Sequence, residues 1–180
     1  LKLDWHIPRA TFRMLKDVFD NQRIILAIIA ISWFWMIGTI VLTKLPDYAN
    51  YVLQTETSVF AVFLALFSIG IALGSLTINQ LLSGQFSLRY TPFVMIFLSF
   101  FACDLYWATP VYSNDIELQT FTQFFTGLVH VRVMLDLFFL AFSGGMYIVP
   151  LYTCLQIESK SMFRARTIAA NNIINALFMV

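Results

Sequence analysis

Residues 24–42 are 19 consecutive positions without a charge. As a helix that run is about 28 Å long, close to the roughly 30 Å hydrocarbon thickness of a bilayer. The pattern recurs along the chain. Residues 57–88 are uncharged for 32 positions, 59–82 being their strongly apolar part, and 137–157 are uncharged for 21. Residues 90–107 form a further apolar stretch, with Pro92 in its first turn and Asp104 near its far end. Another begins near Thr167 and runs to Val180. Barrel strands need only about 10 residues in apolar–polar alternation, and the run Ile-Ile-Leu-Ala-Ile-Ile-Ala-Ile at 24–31 does not alternate. The expectation is an all-α, multispanning membrane protein. Four complete helices lie at about 24–42, 59–82, 90–107 and 137–157, followed by a truncated fifth at 167–180.

Composition supports that reading and excludes others. Apolar residues are 59% and charged residues 12% of the chain, against usual shares of about 45–50% and 25%. A soluble globule needs more charge than this to cover its surface. The chain is too hydrophobic for disorder, and its net charge of +1 is too small for a nucleic-acid surface. Cys103 and Cys154 fall in apolar runs without C-x-x-C spacing, so they read as small buried hydrophobes rather than metal ligands or a disulfide. No metal or cofactor is expected. The chain opens at Leu1 and closes at Val180 inside an apolar run, which predicts a piece of a longer protein.

Charge placement predicts orientation. Lys2, Arg9, Arg13, Lys16 and Arg23 precede the first span, Arg89 follows the second, and Lys160, Arg164 and Arg166 follow the fourth. The opposite side holds only Lys44 and Arg132. Nine basic residues against two puts the N-terminus and the 83–89 and 156–166 turns in the cytoplasm. Within the juxtamembrane segment 1–23, residues 9–19 have Phe12, Leu15 and Phe19 at helical spacing, with Arg9, Arg13 and Lys16 on another side. That segment reads as an amphipathic helix resting in the headgroups or as a plain basic linker.

Several features inside the spans carry alternative readings. Gly70 and Gly74 are four apart among small residues, suiting close helix packing or a sliding interface. In the fourth span, Pro150 deprives the Met146 carbonyl of its hydrogen bond, and Gly144 and Gly145 precede it. Such a helix bends, either for a gate or to fit a neighbour. Asn171 and Asn175 share one face of the last span and point to an interhelical hydrogen bond or a substrate path. Trp33 and Trp35 lie mid-span, where anchoring at the membrane surface does not explain them, so they pack between helices or line a cavity. Asp104, with Tyr106 and Trp107 beside it, suits an interfacial carboxylate or a proton- or cation-coupling group.

Enzyme chemistry is thin, and no catalytic residue is expected. There is no HExxH, P-loop or G-x-S-x-G. A histidine–aspartate acyltransferase pair would need its acid at position 135, which is Leu135, while the nearest acid after His130 is Asp136.

Three groups of residues carry a likeness to a known family. They are Ile31-Ser32-Trp33-Phe34-Trp35 with Gly38 and Leu45-Pro46-Asp47-Tyr48; the stretch 66–76 with Leu82-Ser83-Gly84; and Gly144 to Leu151 with Gln156, Arg164, Arg166 and Ala169-Ala170-Asn171-Asn172. In order and spacing they resemble the second half of bacterial lysophospholipid transporters of the major facilitator superfamily. The resemblance implies a partial C-terminal six-helix half, helices seven to ten and part of eleven, in the bacterial inner membrane. It implies transport of lysophospholipid between leaflets by alternating access. The implied partners are membrane lipids, the lysophospholipid substrate, the missing N-terminal transporter half and a fused or adjacent acyltransferase/acyl-ACP synthetase region. On that reading Trp33, Trp35, Asn171 and Asn175 line the substrate path. Arg164 and Arg166 contact phosphate, close a gate or anchor the cytoplasmic turn. Unlike the family pattern, the turn after Ser83-Gly84 is uncharged until Arg89. An acyltransferase anchor region and a small-solute carrier of the same superfamily are the competing readings.

Overall fold

The computed structural model describes residues 21–109, 124–125, 127–159, 161 and 163–180. Both the 9–19 amphipathic segment and Lys160 lie outside the described residues. Among the described residues five α-helices follow one another: α1 Gln22–Asp47, α2 Thr57–Leu81, α3 Thr91–Ala108, α4 Leu128–Glu158 and α5 Arg164–Met179. No strand occurs among the described residues. Four of the helical stretches, Gln22–Val52, Thr57–Leu81, Thr91–Ala108 and Leu128–Glu158, are long and apolar enough to cross a membrane.

α1 does not end where its uncharged run ends. Pro46 sits in its last turn, where the missing N–H releases one backbone carbonyl. The chain then widens into a π-helical turn at Tyr48–Val52, closed by Leu53 N–H donating to Tyr48 O at 2.9 Å. Gln54 at φ 52° stops the coil, and Thr55 donates through Oγ1 to the Ala49 carbonyl at 2.8 Å. Thr55 thereby satisfies an acceptor that lipid could not.

The chain forms two compact units. One is Ile40–Pro150, and the other joins the segment up to Thr39 with Leu151–Val180. In the first unit, α2 buries Val59, Phe63, Phe67, Gly70, Gly74 and Ile78, one stripe at three- and four-residue spacing. The stripe packs on α4. A Cβ on Gly70 would meet Phe138 O at 2.7 Å, one on Gly74 Phe142 O at 1.9 Å, and one on Gly145 Ile71 O at 2.3 Å. Glycine at these three positions is therefore what lets the two backbones touch, the close-packing reading of the small residues. Gly144 beside them is buried as well. α3 packs on α4 through rings, Phe101 stacking on Phe139 at 4.9 Å.

In the second unit, α1 buries Ile24, Ala27, Ile28 and Ile31, again at helical spacing, and α4 contributes Leu151, Cys154 and Leu155. Arg23 at the start of α1 pairs with Glu158 at the end of α4 across 2.9 Å. Pro150 lies inside α4, which continues through it to Glu158. Of the two cysteines, Cys154 is buried as expected, whereas Cys103 is exposed. A thiol is apolar enough to face lipid, so α3 accommodates it on its outer side.

Candidate functional site: a buried amide seam between α1 and α5

α5 differs from the other helices in what it buries. Its inward residues are Thr167, Ala170, Asn171 and Asn175, three of them polar. They recur at three- and four-residue spacing, so one face of the helix carries them all. Opposite them on α1 stands Ser32, which is fully buried. Its hydroxyl donates to Asn175 Oδ1 at 2.6 Å, joining residues 143 positions apart. Asn171 is also fully buried, and its amide nitrogen reaches only Asn172 Oδ1, at 3.4 Å. The Asn171 Oδ1 acceptor has no hydrogen-bond partner among the described residues. A buried amide oxygen left in that state loses its hydration without replacement, a cost of about 1–3 kcal/mol. A water or a ligand donor reaching that oxygen would recover it.

The tryptophans stand beside this seam on α1. Trp33 is 52% exposed and Trp35 39%. Trp35 donates through Nε1 to the Tyr152 hydroxyl on α4 at 3.0 Å, which fixes one edge of the indole and leaves a face open. Asn171 and Asn175 are inside the helix packing, while the two indoles lie at its surface. Among the sequence candidates, the structure thus joins Asn175 to Ser32 and Trp35 to Tyr152, and buries Asn171 on the same face of α5 as Asn175.

Arg164 and Arg166 are exposed in the first turn of α5. Cations there oppose the positive end of the helix dipole, so helix stability is not why they occur. Arg166 lies over the Phe163 ring with its guanidinium carbon 5.4 Å from the centroid.

Among the described residues of the Ile40–Pro150 unit lie open, almost wholly apolar recesses. One, of about 370 Å³, is lined by Leu66, Val131, Met134, Leu135 and Phe138. Another, of about 310 Å³, lies between Thr77, Tyr90, Phe93, Phe97 and Met146. They carry no polar arrangement able to orient a headgroup. His130 stacks on Phe124 at 4.5 Å, an aromatic packing role for the residue whose spacing already argued against acyl transfer. Among the described residues, no group of three or more His, Cys, Asp or Glu is placed to hold a metal ion.

Sequence reasoning passed over two participants. Ser32 carries no role of its own in the sequence reading, and its four-residue spacing from Ile28, itself four from Ile24, is the signal that it faces inward. Asp136 stands just before the uncharged run 137–157 in the sequence, yet it lies within α4 and is 2% exposed.

The described residues thus form an all-helical protein with four candidate membrane spans and a polar seam buried between two of its helices. No family model, no curated protein and no solved structure matches it.

Proposed function

We propose that this chain belongs to a lysophospholipid transporter of the major facilitator superfamily, as part of its C-terminal half in the bacterial inner membrane. The observation that carries the reading is the Ser32–Asn175 hydrogen bond. Ser32 lies within the first of the sequence groups that resemble the family, and Asn175 stands one turn beyond the last of them. Their contact makes a single polar locus from two distant segments. Helices otherwise built of aliphatic and aromatic side chains keep buried amides where those amides act.

On this reading α1 and α5 form part of the wall of a cavity shared with an N-terminal half. A lysophospholipid offers a phosphate, a polar headgroup and one acyl chain. The open Asn171 oxygen accepts from a headgroup donor, the Trp33 and Trp35 faces meet the chain, and Arg164 and Arg166 meet phosphate at the cytoplasmic surface. Rocking of the two halves would then expose the site to each leaflet in turn. An acyltransferase/acyl-ACP synthetase region is the partner such a transporter would feed.

The test is leaflet-to-leaflet movement of lysophosphatidylethanolamine by the intact protein in vesicles, with a sugar and an amino acid as controls. Movement of the lipid alone is expected. Asn175→Leu should slow it about tenfold, the equivalent of one hydrogen bond at roughly 1.4 kcal/mol, with the protein still folded. Unchanged rate and affinity in that variant would remove the seam from the path. Movement of the sugar or amino acid instead of the lipid would favour a small-solute carrier.

A further inference from the structure

The α3–α4 contact carries three ionisable groups that the transport reading does not use. Asp104 stands on α3, and Arg132 and Asp136 stand one turn apart on α4. Arg132 donates through Nε to Asp104 Oδ2 at 3.1 Å and through a second nitrogen to Oδ1. That is a two-pronged grip, and it commits the guanidinium to one carboxylate. Asp136 is left over. It is 2% exposed, and its Oδ2 has no hydrogen-bond partner among the described residues. Its side chain also lies within hydrogen-bond reach of Asp104, whose charge repels it, while Arg132 attracts it.

Among the described residues no second cation interacts with Asp136. Tyr48, from the π-helical turn, is a further titratable group that interacts with Asp136. Its hydroxyl lies 2.8 Å from Thr109 Oγ1 and is engaged there. Val133 and Leu137, flanking Asp136 on α4, are buried and apolar. Two carboxylates facing one guanidinium leave an uncompensated negative charge in a setting that solvates it poorly. Binding one proton removes that charge.

We propose that Asp136 is a proton-binding site, taking up one proton on its carboxylate and returning it to water while Arg132 stays on Asp104. With the proton bound, α3 and α4 are held by a balanced ion pair. Without it, like charges face each other across the same contact, so proton occupancy biases how closely these helices pack. The site stands independently of the lipid-transport reading, since no substrate atom enters the argument.

Dicyclohexylcarbodiimide tests this directly, because it reacts with protonated carboxyls in apolar surroundings. The carboxyl O–H adds across a C=N bond, and the acyl group then migrates to nitrogen as a stable N-acylurea. The intact protein in lipid vesicles is treated over a pH series, and the label is located by mass spectrometry. Asp136 should be labelled, Asp104 about tenfold less, and labelling of Asp136 should fall as pH rises. Asp104→Asn frees Arg132 to pair with Asp136, and should lower Asp136 labelling about tenfold at constant pH. A merely accessible carboxyl would not respond to that change. Asp136 unlabelled at every pH, or labelled equally in Asp104→Asn, overturns the proposal. So does protection by sodium ions at constant pH, which would make the site one for a metal cation.

Discussion

Alanine in place of Gly74 is expected to force α2 away from α4. The added Cβ would lie 1.9 Å from Phe142 O and 2.8 Å from its carbonyl carbon. Both atoms are backbone, so no rotamer change relieves the clash. Overpacking that side chains can absorb costs about 1–3 kcal/mol, and a backbone collision should reach or exceed the top of that range. Between helices in lipid the loss is felt fully, because close contact is their main adhesive. Gly38 supplies the control, since nothing lies within 4 Å of a Cβ built there. Gly38→Ala should be neutral or stabilise by up to about 1 kcal/mol. Thermal unfolding of the intact protein in lipid discs, followed by tryptophan fluorescence, should separate the two variants by many degrees. Equal melting temperatures would mean that the helices do not approach as described.

Truncating Phe63 should have a comparable effect by the opposite route. The side chain is fully buried in a cluster with Val59, Val133 and Leu137. Its ring stands edge-on to Phe124, with 5.8 Å between centroids. Phe63→Ala removes that contact and leaves a cavity, a change that costs about 3–5 kcal/mol in well-packed cores. Phe93, on α3, is 70% exposed and lies outside that buried cluster. Phe93→Ala should therefore stay within about 0.5 kcal/mol of the parent. The same melting experiment reads both, and a Phe93→Ala loss as large as that of Phe63→Ala would contradict the assigned core.

The spans were legible because charge is expensive in lipid and its absence over about 20 residues is rare by chance. The same signal failed wherever a charge is compensated. α4 begins at Leu128, well before the uncharged run at 137, because Arg132 is held by Asp104 and can sit inside a helix. Counting uncharged positions has no access to such a pair. Helix ends were hidden for a different reason. Pro46 marked a break, but the π-helical turn beyond it depends on Thr55 reaching back to Ala49.

The small residues at Gly70, Gly74 and Gly145 were readable as a close-packing signal, though their common partner was not. Only the structure shows that the first two meet α4 and the third meets α2. The seam was half readable. The spacing of Asn171 and Asn175 put them on one face, whereas Ser32 as the partner required the fold. Trp33 and Trp35 were singled out by position along the span, and their neighbours are set by the rotation of α1, which the aliphatic stripe at Ile24, Ala27, Ile28 and Ile31 governs.

All of this depends on the apolar helices crossing a bilayer with the basic turns on the cytoplasmic side. Tyr51, 78% exposed after α1, and Ser161, exposed between α4 and α5, are separated by three candidate spans. Tyr51→Cys and Ser161→Cys, each in the intact protein with Cys103 and Cys154 replaced by alanine, can be probed in whole cells with a membrane-impermeant maleimide. The thiol at 51 should be labelled from outside, and the thiol at 161 only after the membrane is permeabilised. Labelling of both from outside, or of 161 alone, would contradict the account.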